Sequence, residues 1–338
     1  MSPQAHNYSF DILRIIACVM IVAMHAPLPG SEENSLFLSS LSYLTVPGIG
    51  LFFMLSGALL LPVRTNVRTF FRKRFLKIAI PTLGWTLLYL IAGIFASGTP
   101  FSLQVLLSVP FSAQGNPTFW FIYTLLGLYL LAPVLSRWLE TASHAELVFY
   151  LGLWGISLCY PLLRNVLDIN VSETGALYYF SGYAGYFVLG YYLRNYPEKI
   201  RFIWLLPMLV VSYAAPVVCK LKPIPVDFYD VFWSLSIFVV IQCIFLWKLV
   251  IMLIPAQGWP SLNSLIARVS SLTFTIYLVH FFVVRDLLWK WSFVRSIHPY
   301  ALQTFVIILL ALAVSSVFAF FYEKARSFYH PLSRTRRG

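Results

Sequence analysis

An aspartate, an arginine and a histidine interrupt the first apolar stretch of this chain: Asp11, Arg14 and His25. Ionisable groups in a segment long enough to span a bilayer cost free energy, and by default they mark function. Asp11 and Arg14 are i,i+3 neighbours on a helix, a spacing that permits an ion pair and lowers the burial cost of both charges. His25 is the residue type suited to general-base work near neutral pH, since its unperturbed pKa is about 6.5. Eleven residues separate Arg14 from His25. At about 100° per residue that is roughly 20° past three full turns, so both side chains share one face. The rise places them roughly 16 Å apart, about half the hydrocarbon thickness. The bland alternative is a snorkelling arginine and a polar helix end.

Other segments carry polar chemistry more loosely. The stretch Gly48 to Gly57 holds Ser56-Gly57, small residues that permit close helix contact or a backbone approach to a ligand. The densest basic run includes Arg72, Lys73, Arg74 and Lys77, ahead of Pro81. Read as a helix, it puts Arg74 and Lys77 on one face as i,i+3 neighbours. Such a cluster either anchors to anionic lipid or cradles a phosphate-bearing donor. Further along come Trp120 with Tyr129 and Pro133, then Tyr277 with His280 at i,i+3, then Glu323 beside Lys324. Tyr277 and His280 can share a polar pocket, although a histidine near a membrane interface is also a common structural residue. Glu323 reads on its own as a helix-end charge. No HExxH, GxSxG or Walker pattern is present.

The elements that position these residues follow from composition. Of 338 residues, 59% are hydrophobic and 11% charged, and the mean hydropathy is +0.79. Soluble domains carry about 25% charged residues, so the chain reads as a polytopic membrane protein. Alternating strand patterns are missing, so an all-α bundle satisfies the backbone in lipid. Ten spans are expected, over 8–27, 43–62, 78–97, 117–137, 146–164, 174–193, 201–219, 229–253, 269–289 and 300–323. The Pro- and Gly-rich stretch 98–116 allows a short interfacial or re-entrant helix, and the first loop holds Pro27, Pro29, Gly30, Glu32 and Glu33. With the N-terminus placed in the cytoplasm, 17 of the 24 Lys and Arg fall on that side and six on the other, Arg14 lying within the first helix. That asymmetry predicts both termini inside, with His25 nearer the outer face. The net charge of +12 is therefore topology information and not a nucleic-acid footprint. Cys18, Cys159, Cys219 and Cys243 lie in or beside apolar segments without a CxxC pair, and read as small core residues outside any disulfide or metal site. The N-terminus lacks a cleavable signal pattern, so its apolar stretch is expected to stay as a helix. No repeat or linker divides the chain, and one domain over 1–338 is expected.

Taken together, these pieces resemble the bacterial membrane acyltransferase-3 family, whose members acylate, most often O-acetylate, cell-surface glycans. The matching residues are Asp11-x-x-Arg14-x10-His25, Leu51 to Gly57, and the basic run ending Arg74-x-x-Lys77. Trp120 with Tyr129 and Pro133, Ser271 through Tyr277 to His280, and Glu323 follow in order. The resemblance implies an acetyl-CoA donor bound from the cytoplasm and a lipid-linked or exported saccharide acceptor, in a multi-pass protein of the bacterial inner membrane. It implies that His25, Arg14 and Asp11 are catalytic, that Arg72, Arg74 and Lys77 hold the donor, and that Ser56, Trp120, Tyr277, His280 and Glu323 line the substrate pocket. The family usually carries Arg-x-x-Arg in the basic run. Lys77 keeps the charge at the second position but loses the bidentate fork. The esterase-like domain of some relatives is missing, so transfer is expected to finish within the membrane domain.

The expected reaction is acyl transfer, direct or in two steps. His25 takes the proton from a sugar hydroxyl as it attacks the thioester carbonyl, and Arg14, held by Asp11, orients the donor or meets the developing oxyanion. An acetyl-histidine intermediate stays open. Neither metal nor nucleic acid is expected, membrane lipid surrounds the bundle, and the oligomeric state is open. The alternatives are a transporter or flippase in which Asp11, Arg14 and His25 relay protons, and an assembly subunit in which they only pack helices. The acyl group, acetyl or succinyl, and the acceptor hydroxyl are not legible.

Overall fold

The structure is a computed structural model, and it describes residues 6–29, 35–98, 100, 102–169, 175–197, 201–222 and 226–329. Gly30, Glu32, Glu33, Lys199, Arg334, Arg336 and Arg337 lie outside the described residues. Among the described residues the chain is helical, with no strand.

The first four helices are α1 (Tyr8–His25), α2 (Ser35–Thr45), α3 (Pro47–Leu60) and α4 (Val67–Arg74). A π-helical turn, Phe75–Ala79, leads into α5 (Ile80–Ser97), and the short α6 (Leu103–Ser108) follows. Then come α7 (Trp120–Thr141), α8 (His144–Ser157), α9 (Tyr160–Leu167) and α10 (Ala184–Asn195). The last six are α11 (Phe202–Leu221), α12 (Phe228–Phe232), α13 (Ile237–Leu253), α14 (Asn263–Phe282), α15 (Ser292–Arg295) and α16 (Tyr300–Tyr329).

Local chemistry starts these helices where they start. The Asn7 side chain accepts hydrogen bonds from the backbone N–H groups of Ser9 and Phe10, which caps α1. Ser143 and Glu146 form a reciprocal capping box that opens α8. Asp227 accepts from Tyr229 and Asp230 and so nucleates α12.

Nine helical stretches among the described residues are long and apolar enough to cross a membrane. The expectation of a tenth, over 174–193, is corrected. There a 3₁₀ turn at Tyr178–Phe180 precedes α10, which has 12 residues. At about 1.5 Å per residue α10 extends roughly 18 Å, well short of a hydrocarbon core about 30 Å thick. Gly182, at φ +105°, holds the chain in a conformation open to glycine just before α10 begins, so the helix starts late. The stretch allowed a short helix between spans contains α6.

The chain divides into two compact units. The first comprises Met1–Leu51, Met208–Ile224 and Gln242–Gly338; the second comprises Phe52–Pro207 and Pro225–Ile241. In the first, α1 packs along α14, and α14 along α16. Leu13, Ala17 and Val22 of α1, Leu278 of α14, and Ile307, Ala311 and Ala319 of α16 are fully buried. In the second unit, two glycines let helices touch backbone to backbone. A Cβ on Gly57 would lie 1.7 Å from the Phe187 carbonyl oxygen, and one on Gly190 would lie 1.8 Å from that of Met54. Phe53 packs beside them, its ring 4.5 Å from that of Phe121 and 4.7 Å from that of Tyr183.

Candidate active site

Asp11 is buried, one turn into α1, and its carboxylate gathers three partners. Arg14 donates to Oδ1 at 2.7 Å, and the Ser270 hydroxyl donates to the same oxygen at 2.6 Å. Arg14 also donates to Ser270 Oγ at 2.6 Å, which closes a triangle across α1 and α14. His6 meets the other oxygen, Oδ2. These hydrogen bonds hold the carboxylate and the guanidinium in one fixed geometry.

The far end of α1 repeats the pattern with imidazoles. His25 Nδ1 lies 2.8 Å from the Ile21 carbonyl oxygen, and His280 Nδ1 lies 2.7 Å from that of Tyr277. A carbonyl only accepts, so each Nδ1 carries a proton, and Nε2 is the ring nitrogen left to meet other groups. The ring centroids are 5.2 Å apart. Phe281 meets His25 edge-on at 5.8 Å, and the Tyr277 ring lies 5.4 Å from His280. His280 is fully buried, and its Nε2 has no hydrogen-bond partner, whereas His25 is only half-buried.

Contacts from Arg14 to Ser270, from Cys18 to the Thr273 carbonyl, and from His25 to His280 ascend both helices together. So α1 and α14 run parallel, and the shared face of Arg14 and His25 is the face toward α14. Glu323 on α16 accepts from Thr275 of α14 at 2.7 Å, with Arg326 at 3.8 Å. The reading of Glu323 as a mere helix-end charge is thereby corrected: it is tied to a buried threonine on a neighbouring helix.

In the second unit, Arg72 and Lys77 are exposed and Arg74 is half-buried. The Arg74 guanidinium lies over two rings, 5.7 Å from Phe70 and 5.8 Å from Tyr129, and its buried Nε has no hydrogen-bond partner. The α-helical i,i+3 relation expected for Arg74 and Lys77 is corrected by the π-helical turn, which contains Lys77 and carries an Ile80 N–H bond back to Phe75. Five-residue bonding widens the turn, so a three-residue step no longer returns to the same face. Ser56 is half-buried beside Gly57, and the Trp120 ring packs 5.4 Å from that of Tyr183.

Comparison with known protein families matches residues 7–320 to an acyltransferase domain. The chain belongs to the acyltransferase-3 family. No curated protein and no solved structure matches it. With its apolar helices, it is a multi-pass membrane acyltransferase. The family match begins at Asn7, the cap of α1, and runs through both units of this acyltransferase.

Of the residues singled out in the acyltransferase sequence, Asp11 joins Arg14, His25 meets His280, Tyr277 meets His280 in turn, and Glu323 joins the same helix through Thr275. Ser56, Arg72, Arg74, Lys77 and Trp120 belong to the second unit. Sequence reasoning passed over Ser270, His6 and Thr275. Ser270 stood beside Ser271 in a segment already noticed, yet Ser271 is exposed and bonds only within its own turn, to the Arg268 carbonyl. Among the described residues no cluster of three or more His, Cys, Asp or Glu is placed to hold a metal ion.

Proposed function

We propose that this protein is an acyl-CoA-dependent O-acyltransferase of the bacterial inner membrane, with both termini in the cytoplasm. It moves an acyl group, acetyl by preference, from acetyl-CoA to a hydroxyl of a cell-surface or lipid-linked glycan. The observation that carries this reading is the tautomer of His25. Its Nδ1–H is spent on the Ile21 carbonyl, so Nε2 is the basic nitrogen.

In the reaction, His25 Nε2 takes the proton of the acceptor hydroxyl as that oxygen attacks the thioester carbonyl. The C–S bond breaks as the new C–O ester bond is completed, and the thiolate receives the proton back from Nε2. The products are the O-acyl glycan and free CoA thiol. Arg14 stands about 16 Å from His25 along α1, too far to reach an oxyanion formed beside the base. Its role is donor orientation, with the guanidinium held in place by Asp11 and Ser270. Arg72, Arg74 and Lys77 supply the positive charge that suits the CoA phosphates. Tyr277, His280 and Glu323 in the first unit, and Ser56 and Trp120 in the second, are the proposed substrate-contacting residues of each.

The test is release of CoA from acetyl-CoA by purified protein given a crude envelope glycan fraction, wild type beside His25→Ala. Release by the wild type alone supports the reading. Equal release by both removes His25 as the base. Solute movement that follows a proton gradient and needs no thioester would replace the enzyme reading with a transporter.

A further inference from the structure

The second unit contains a cavity of about 360 Å³, within the size range of small-ligand sites. It lies between the C-terminal part of α8, α9, the 3₁₀ turn before α10, and α12. Its wall is a built polar network. Arg164 of α9 donates to Asp230 of α12, and the Asn165 amide donates to the same carboxylate oxygen at 2.8 Å. The Asn165 carbonyl oxygen in turn accepts from the Asp227 backbone N–H at 3.2 Å, which fixes the start of α12. On the other side, the hydroxyls of Tyr183 and Ser234 hydrogen-bond at 2.8 Å, and Tyr186 donates to the Ser234 carbonyl at 2.7 Å.

The rest of the lining is aromatic. Tyr178, Tyr229 and Trp233 face the cavity, and Tyr229 and Trp233 sit with ring centroids 5.2 Å apart. Tyr178 is 43% and Tyr229 65% exposed, so each ring, though packed on one side against Tyr179 or Trp233, keeps open surface. Rings beside a carboxylate, a guanidinium and hydroxyls match the two sides of a pyranose. Its axial C–H face stacks on aromatic surface, and its equatorial hydroxyls need both donors and acceptors. The Arg164–Asp230 pair cancels its own charge, which disfavours a phosphate or other anion as the occupant.

We infer that this cavity is a saccharide-binding subsite that takes an uncharged hexose or N-acetylhexosamine unit of the acceptor. The inference rests on the glycan acylation proposed above and assigns it a recognition site. Trp120, already expected to bear on substrate, does not line the cavity but packs on Tyr183, a lining residue.

Saturation-transfer NMR tests it, with the full chain in lipid nanodiscs, no acyl-CoA, and methyl glycosides of neutral hexoses and N-acetylhexosamines as probes. At least one glycoside is expected to receive saturation. Tyr178→Ala with Tyr229→Ala should weaken that binding roughly tenfold or more. Both side chains are exposed, so the variant should keep its fold. Trp204→Ala, which removes a 67% exposed ring outside the cavity, should leave it unchanged. Saturation of no glycoside, or an equal signal from the double variant, overturns the inference. A chain that releases CoA with envelope glycan yet binds no glycoside keeps the acyltransferase and loses the subsite. A chain that binds glycosides through Tyr178 and Tyr229 but transfers no acyl group does the reverse.

Discussion

The imidazoles of His25 and His280 lie 5.2 Å apart, and each donates its Nδ1–H to a carbonyl of its own helix. Two helices thus bring two Nε2 atoms into one neighbourhood, one on a half-buried ring and one sealed from solvent. The half-buried ring can meet a substrate. The sealed one sets its surroundings.

Replacing His25 with alanine should leave insertion and yield intact and lower acyl transfer by roughly 10²–10⁴-fold, the range set by loss of a general base. CoA release under saturating acetyl-CoA, normalised to folded protein, reads this. Retention of full activity would remove His25 from the chemistry.

His280→Phe separates stability from activity. The buried Nε2 lacks a partner, and an unsatisfied buried acceptor costs about 1–3 kcal/mol. Phenylalanine keeps a ring beside His25 and removes that cost together with the Nδ1–H bond to the Tyr277 carbonyl, so the thermal midpoint in detergent should change little. Turnover should fall, because an apolar ring replaces the imidazole packed beside the base. A variant with lower stability and full turnover would make His280 a packing residue only.

The Asp11 triangle predicts strong coupling. Ser270→Ala removes one hydrogen bond to a carboxylate and one from a guanidinium, an expected loss of about 1.5–3 kcal/mol. In a double-mutant cycle, Asp11→Asn and Arg14→Gln should couple by about 0.5–3 kcal/mol. Additive effects on the denaturation midpoint would show that the pair does not act as a unit.

Helix contact in the second unit predicts an asymmetry among glycines. Gly57→Ala forces a methyl to 1.7 Å from the Phe187 carbonyl oxygen, so it should cost at least the about 1–3 kcal/mol of ordinary overpacking. Gly84→Ala, with nothing within 4 Å of the new Cβ, should be neutral or stabilise the α5 interior by about 0.5–1 kcal/mol. Size-exclusion profiles and melting midpoints of the two variants decide it.

For the basic run, Arg72→Ala should raise KM for acetyl-CoA with little change in kcat, since an exposed arginine can add binding without touching the reacting atoms. Arg74→Lys should lower stability as well, because lysine replaces a planar group stacked against Phe70 and Tyr129. Steady-state kinetics alongside thermal melts distinguish the two effects.

Some of this was legible along the chain. The all-helical membrane architecture followed from composition and the length of the apolar runs. The shared face of Arg14 and His25 followed from helical period, and the Asp11–Arg14 pair from i,i+3 spacing. These are local properties, set by the 3.6-residue turn and by the need to satisfy backbone groups in lipid. Their partners were decided only by tertiary structure. Ser270 lies 256 residues from the Arg14 it meets and His280 stands nearly as far along the chain from His25, and the parallel register of α14 selected Ser270 over its neighbour Ser271. Glu323 looked like a helix end until α16 packed against α14. The π-helical turn at Phe75–Ala79 and the short α10 overrode the regular period on which the sequence reading relied. Period specifies which residues share a face. What that face meets depends on side chains brought together from across the chain, whose combined packing no local window contains.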